Sequence, residues 1–207
     1  MATRKITDIQ LIKTLKDLNK PFYSVADLEK VLDLERESLY VLLNRLVKKG
    51  VLVKLKKGVY QPAFQSPDLK KVANELYYPS YLSFESALSI YGIINQVPYV
   101  LTFATSRRSK KIELANTPVE YRQIKKDYFF GFQLKNGFYL AEAEKALLDQ
   151  LYLISKGQVE KNTSEWSLLN LDQKKLIKYS QIFPQTVQGA AKKLLARLGK
   201  PVVTLES

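Results

Sequence analysis

The 207-residue chain contains no cysteine and no histidine, and has one methionine and one tryptophan. The two zeros exclude whole classes of chemistry. Without Cys or His there is no Cys/His zinc site, no Ser-His-Asp triad and no cysteine nucleophile. Disulfides cannot form, so redox state does not decide folding. Any catalysis would rest on carboxylates, Lys, Tyr, Ser, Thr or a carboxylate-bound metal. Long hydrophobic runs are missing too. None approaches the roughly 18 residues of a membrane span, so no membrane partner is expected. The opening Met1-Ala2-Thr3-Arg4-Lys5 leads into a polar stretch without the apolar segment and cleavage site of a signal peptide. The expected compartment is the cytoplasm. The 8 glycines form neither G-x-G-x-x-G nor G-x-x-x-x-G-K, and no cofactor is expected.

What is present is an ordinary globular composition with a strong charge bias. Hydrophobic residues make up 46% and charged residues 26%, which argues against large-scale disorder. The 13 Tyr and 9 Phe are expected to build much of the core. The net charge is +13, which favours an anionic partner, most often nucleic acid or an anionic membrane face. Residues 1–61 carry 13 Lys and Arg against 7 Asp and Glu, and residues 161–207 carry 8 against 3. The middle, 62–160, is nearly balanced at 12 against 10 but holds the dense cluster Arg107-Arg108-Ser109-Lys110-Lys111.

The pattern along the chain predicts a mixed α+β protein. Residues 8–18 read as a helix capped by Thr7, with Leu11, Leu15 and Leu18 on one face. Ser24 opens a second helix, with Asp27 completing a capping box. In a third helix of about 14 residues, Leu39, Leu42, Leu43, Leu46 and Val47 fall at i, i+3, i+4, i+7 and i+8. Lys48 and Lys49 suit its last turn, and Gly50 stops it. A hairpin follows, 51–55 and 59–61, with Lys56-Lys57-Gly58 at its tip. Residues 62–67, with Pro62 and Pro67, read as a boundary between domains 1–61 and 68–207. Beyond it, helices are expected at 68–76, at 83–91 with Ser83 as cap, and at 141–154, 172–182 and 186–198. Strands are expected at 99–105, 119–125, 128–133 and 138–140, with Asn136-Gly137 as a tight turn before the last. The final helix adds Lys192, Lys193, Arg197 and Lys200, with Ala190, Ala191, Leu194, Leu195 and Leu198 inward.

Three short helices and a two-stranded wing make the winged helix-turn-helix pattern, whose third helix can enter a major groove. Helical period then turns Glu37, Val41, Asn44, Arg45 and Lys48 outward, flanked by Ser38 and Tyr40. Asn44 can read adenine, Arg45 can read guanine or hold a phosphate, and Val41 can meet a thymine methyl. Lys48, Lys49, Lys54, Lys56 and Lys57 are point charges suited to phosphates. Arg36 and Ser38 lie at the helix N-terminus, itself a phosphate site. Glu37 would repel phosphate unless it accepts from a cytosine amino group. Arg107, Arg108, Lys110 and Lys111 are either a solvated loop or a second anion-binding surface, which Lys125 and Lys126 would join if the neighbouring strands pair.

Beyond the wing residues Lys57-Gly58-Val59-Tyr60 comes Tyr81-Leu82-Ser83-Phe84-Glu85-Ser86-Ala87-Leu88-Ser89-Ile90-Tyr91-Gly92. A strand led by Pro98 and the basic Arg107-Arg108 follow. Then comes Tyr139-Leu140-Ala141-Glu142-Ala143-Glu144-Lys145-Ala146-Leu147-Leu148-Asp149. In this order the sequence resembles the AbiEi antitoxin family of type IV toxin–antitoxin systems, over about residues 20–155. The S-x-x-S-A-L and E-K-A-L-L-D helices are its most specific pieces. The resemblance implies a repressor of its own two-gene operon, bound to inverted repeats in the promoter. It implies a partner toxin similar to nucleotidyltransferases, neutralised without a stable complex, in abortive-infection defence against phage. It assigns repression to the winged helix and antitoxin activity to the C-terminal part. Independently of it, two copies on an inverted repeat would let a monomer or weak dimer cooperate on double-stranded DNA through bending.

A rival reading is a metal-dependent nuclease or other nucleic-acid enzyme, with Glu142, Glu144, Lys145 and Asp149 converging on a metal. The simpler reading of those acids is as early-turn residues favoured by the helix dipole, and no enzyme is expected. A third reading is a winged helix that binds protein.

Overall fold

The computed structural model describes residues 7–66, 68–160 and 163–198. The first residues, Pro67, the side chains of Arg197 and Leu198, and Lys200 lie outside the described residues. The fold is mixed α+β, with eight α-helices and two sheets among the described residues. The chain divides into two compact units: Met1–Ala73 with Glu113–Asn116, and Asn74–Ile112 with Thr117–Ser207.

In the first unit, α1 (Asp8–Leu18) is closed by a capping box: the Thr7 hydroxyl accepts from Gln10 N–H, and the Gln10 side chain accepts from Thr7 N–H. Asn19, left-handed at φ 46°, ends the helix. The short strand β1 (Tyr23–Ser24) leads into α2 (Val25–Leu32), capped by a second box between Ser24 and Asp27. Helix α3 (Arg36–Lys48) buries Leu39, Leu43 and Leu46. Leu42 and Val47, expected inside, are only half-buried and pack at the edge of the core. Then come β2 (Leu52–Lys56) and β3 (Val59–Pro62), turning through Gly58 at φ 78°. A bulge between Lys54 and Lys56 breaks the strict alternation, leaving Val53 and Lys54 both exposed while Leu55 is buried.

The three strands form one antiparallel sheet in the order β1-β3-β2. Strand β1 is not visible in the sequence pattern; it exists because Tyr23 pairs with Tyr60 across the sheet. The buried Tyr23 hydroxyl donates to Leu15 O at 2.6 Å, joining sheet to α1. Each fully buried leucine of this core contributes about 1.5–3 kcal/mol relative to exposure.

Helix α4 (Leu69–Leu76) spans the division between the units. The larger sheet is built from β4 (Ser80–Leu82), β5 (Leu101–Thr105), β6 (Lys110–Leu114), β7 (Thr117–Gln123), β8 (Phe132–Lys135) and β9 (Phe138–Ala141). Their order in the sheet is β6-β7-β5-β4-β9-β8. β4 runs antiparallel to β5 and parallel to β9, and β5 runs parallel to β7. The hairpin between β8 and β9 turns through Asn136 and Gly137 at φ 53° and 83°, the left-handed pair that suits a twisted hairpin.

The remaining helices are α5 (Phe84–Ile90), α6 (Ala143–Ser155), α7 (Gln173–Ser180) and α8 (Gln185–Leu198). Helix α6 is central: α5, α7 and α8 all pack on it, and every residue from Glu144 to Leu153 is buried. On α8, Ala191 and Leu194 are buried, Ala190 and Leu195 half-buried, and Lys192 and Lys193 exposed.

One expected element differs. Residues 128–133 do not form a single strand: a 3-10 turn at Lys126–Tyr128 precedes β8. The Tyr128 ring stacks on Phe183 at 4.7 Å and meets Tyr152 edge-on at 5.1 Å, which draws the segment toward the helices. Gly131, at φ 68°, then turns the chain into β8. No helix among the described residues is long and apolar enough to cross a membrane.

Candidate nucleic-acid interface

With Leu39, Leu43 and Leu46 inward, the 3.6-residue period exposes the opposite face of α3. Arg36, Glu37, Ser38, Tyr40, Val41, Asn44, Arg45, Lys48 and Lys49 are all exposed. Val41 is 72% exposed and Tyr40 39% exposed, on a face otherwise polar and mostly cationic. Glu35 precedes the helix and makes no side-chain capping bond. On the hairpin, Lys54 and Lys57 are exposed, and Lys56 is half-buried.

The charges on this face are unequal. Asp8 at the start of α1 accepts from Lys49 Nζ at 2.9 Å and lies 3.6 Å from Arg45. The Lys49 hydrogen bond holds the Asp8 carboxyl below its ordinary value, against the opposing effect of burial and with help from the Lys49 and Arg45 charges. Arg36 lies 3.7 Å from Glu29. Lys48, Lys54, Lys56 and Lys57 form no ion pair among the described residues. Asp8 was not singled out in the sequence, because its partners lie about 40 residues away in the chain.

The second basic group is sorted by the sheet. Because β5 and β7 are parallel and pair Thr105 with Gln123, residues 106–109 and 124–126 leave the sheet at the same end. Gln123 N–H donates to Ser109 Oγ at 3.0 Å. Arg107 donates to Tyr78 O at 3.0 Å, with its guanidinium 4.2 Å from the centre of the Tyr77 ring. Lys110 Nζ lies 5.0 Å from that ring, and Lys111 pairs with Glu120 at 2.7 Å; both belong to strand β6, not to a loop. Arg108, Lys125 and Lys126 are exposed without an ion pair among the described residues.

The carboxylates around α6 have structural partners. Glu142 accepts from the Tyr179 hydroxyl at 2.7 Å and pairs with Lys175 at 3.0 Å. Glu144 stands in the first turn of α6, as expected, and is also buried, accepting from Asp172 N–H at 2.9 Å. Asp149 sits in mid-helix, where the dipole gives no support. Lys145 and Asp149 are both 0% exposed and paired with each other. Lys145 Nζ also donates to the Tyr81 hydroxyl at 2.7 Å. Tyr81 and Ser83 in turn donate to Asp149 Oδ2 at 2.9 and 2.8 Å. The rings of Tyr81, Phe130 and Phe183 lie 5.2–5.3 Å from the ammonium. Burial pushes the Asp149 carboxyl up and the Lys145 amine down, each opposed by the other's charge. Burial, with Asp149 beside it, pushes the Tyr81 hydroxyl well up.

Ser83 therefore turns its hydroxyl to Asp149 instead of capping α5. Among the described residues no group of three or more Asp and Glu is placed to hold a metal ion. The sequence did carry a signal for this network: Lys145 and Asp149 stand four apart in a stretch otherwise almost wholly apolar. A second network, also unforeseen, links Arg122 to Glu85 at 2.7 Å and to Glu120 at 3.1 Å. No protein-family model matches the chain, and no curated protein matches it significantly.

Proposed function

We propose that the first unit is a winged helix-turn-helix that binds double-stranded DNA, with α3 in the major groove and the β2–β3 hairpin along the backbone. The observation that carries this reading is Val41, an apolar side chain held 72% exposed beside Asn44, Arg45 and Lys48. A solvated helix face gains nothing from such a residue, whereas a thymine methyl in the groove does. The free cations Lys48, Lys54 and Lys57 supply sequence-independent attraction, and the uncapped start of α3 adds N–H groups suited to a phosphate.

Together with the resemblance to the AbiEi family, this supports a repressor that occupies inverted repeats in its own promoter. The mechanism is occupancy, not chemistry. The same resemblance assigns to the second unit the task of counteracting a nucleotidyltransferase-like toxin without a stable complex. The decisive experiment is a gel-shift titration on the DNA upstream of the gene against random DNA of equal length, at two salt concentrations. Tight, stepwise, upstream-specific binding is expected. Equal and salt-labile binding to both would overturn the repressor reading.

A further inference from the structure

A pocket of about 200 Å³ opens in the second unit among α5, the loop after it, α6 and the segment carrying Trp166. Glu85, Gln150, Glu160, Glu165 and Trp166 line it, and among the described residues no Lys or Arg does. In a chain of net charge +13 this is a local reversal of sign.

Gln150 is 5% exposed, and its Nε2 donates to Glu85 Oε1 at 3.0 Å. That bond fixes the amide orientation, because the flipped amide would set oxygen against oxygen. Gln150 Oε1 is then a buried acceptor with no partner, an arrangement that costs free energy until a donor arrives. Glu85 does not attract a ligand by its charge, since Arg122 reaches both its oxygens at 2.9 and 2.7 Å. Glu160 and Glu165 are exposed and have no ion pair among the described residues. Trp166 is half-buried and adds an aromatic wall.

We propose that this pocket binds a small organic cation bearing N–H donors, of the alkylguanidinium or alkylammonium class. One N–H meets Gln150 Oε1, the charge faces Glu160 and Glu165, and the flat or alkyl part lies against Trp166. The volume equals roughly six or seven waters at about 30 Å³ each. That suits a group the size of an arginine side chain. The same chemistry is offered by a free cation and by an arginine side chain on a peptide.

Trp166 is the only tryptophan, so its fluorescence reports this site alone. The full-length chain is titrated with agmatine and with acetyl-arginine-amide. Tetramethylammonium serves as the cation without N–H donors, and urea as the neutral donor. The expected result is a saturable change with agmatine, the blocked arginine or both, and none with the two controls. A response to agmatine alone marks a free cation as the ligand; a response to the blocked arginine alone marks a peptide side chain. Glu165→Gln, an exposed change, is expected to weaken binding by about tenfold, and Gln150→Leu by a similar factor. No saturable change, an equal response to tetramethylammonium or urea, or undiminished binding in Glu165→Gln would overturn the proposal.

Discussion

Lys145 and Asp149 face each other one turn apart on α6 with neither side chain reaching solvent, and each is the other's counter-charge. Removing one partner leaves a buried charge without compensation, which typically costs about 3–5 kcal/mol. Asp149→Ala is expected to lower stability by that amount in urea unfolding. The double change Lys145→Met with Asp149→Leu should recover part of the loss, since it removes both charges but leaves the buried Tyr81 and Ser83 hydroxyls without their acceptor. A double variant no more stable than Asp149→Ala would show that the orphaned hydroxyls, not the unpaired charge, carry the cost.

Asp8 holds Arg45 and Lys49 in ion pairs, so on the proposed DNA-binding reading it would compete with phosphate for them. Asp8→Asn keeps the shape and frees both cations. Affinity for any duplex should rise about threefold to tenfold, and the salt dependence should steepen by about 1 to 2 in log–log slope. Fluorescence anisotropy over a salt series checks both quantities, and an unchanged slope would remove these two residues from the interface.

Lys54 and Lys57 are the exposed, unpaired cations of the hairpin. Lys54→Ala with Lys57→Ala should weaken binding to all sequences and reduce the slope by about 2. Lys56 is half-buried, so Lys56→Ala should matter less than Lys57→Ala. Asn44→Ala should behave differently, losing about 1–3 kcal/mol of preference for the right base pair while non-specific affinity persists. Equal losses on operator and random DNA would argue against base reading by Asn44.

The Asp27 carboxyl gives the first unit an acid sensitivity. Burial pushes it up, but hydrogen bonds from Lys20 and Ser24 and the Lys20 charge outweigh this and bring it down to about 2. A folded value below the unfolded one of about 3.9 means that the stabilisation is complete above about pH 5 and is lost as pH falls through about 2. Its size is at most about 2 kcal/mol, because the side chain is partly solvated. Asp27→Asn should flatten the stability profile between pH 5 and pH 2 in urea titrations. An unaltered profile would place the acid sensitivity elsewhere.

Gly131 sits at φ 68°, and a β-carbon there would stand 3.1 and 3.2 Å from Lys145 Cγ and Cβ and 3.2 Å from the Tyr179 ring. Gly131→Ala combines backbone strain with crowding against the buried lysine, and should cost about 1–3 kcal/mol in thermal or urea unfolding. A neutral substitution would mean that the turn before β8 can relax.

Local chemistry made the first unit legible. Thr7 with Gln10 and Ser24 with Asp27 satisfy helix N–H groups within three residues, and the leucines of α3 recur at the helical period, so neighbours in sequence suffice to define α1, α2 and α3. The Asn136-Gly137 turn is legible for the same reason. Strands β1 and β4 are not, because two or three residues carry no periodicity and exist only through partners far along the chain. Single-sequence patterns likewise cannot tell that Lys145 and Asp149 are buried, that Asp8 meets Lys49, or that Glu85, Arg122 and Gln150 meet beside one pocket. The amino-acid sequence alone determined the charge, the missing chemistries, the helix caps and the outward face of α3. Tertiary structure decided which charges are free and which are matched, because burial and pairing depend on residues brought together across the sheet and around α6.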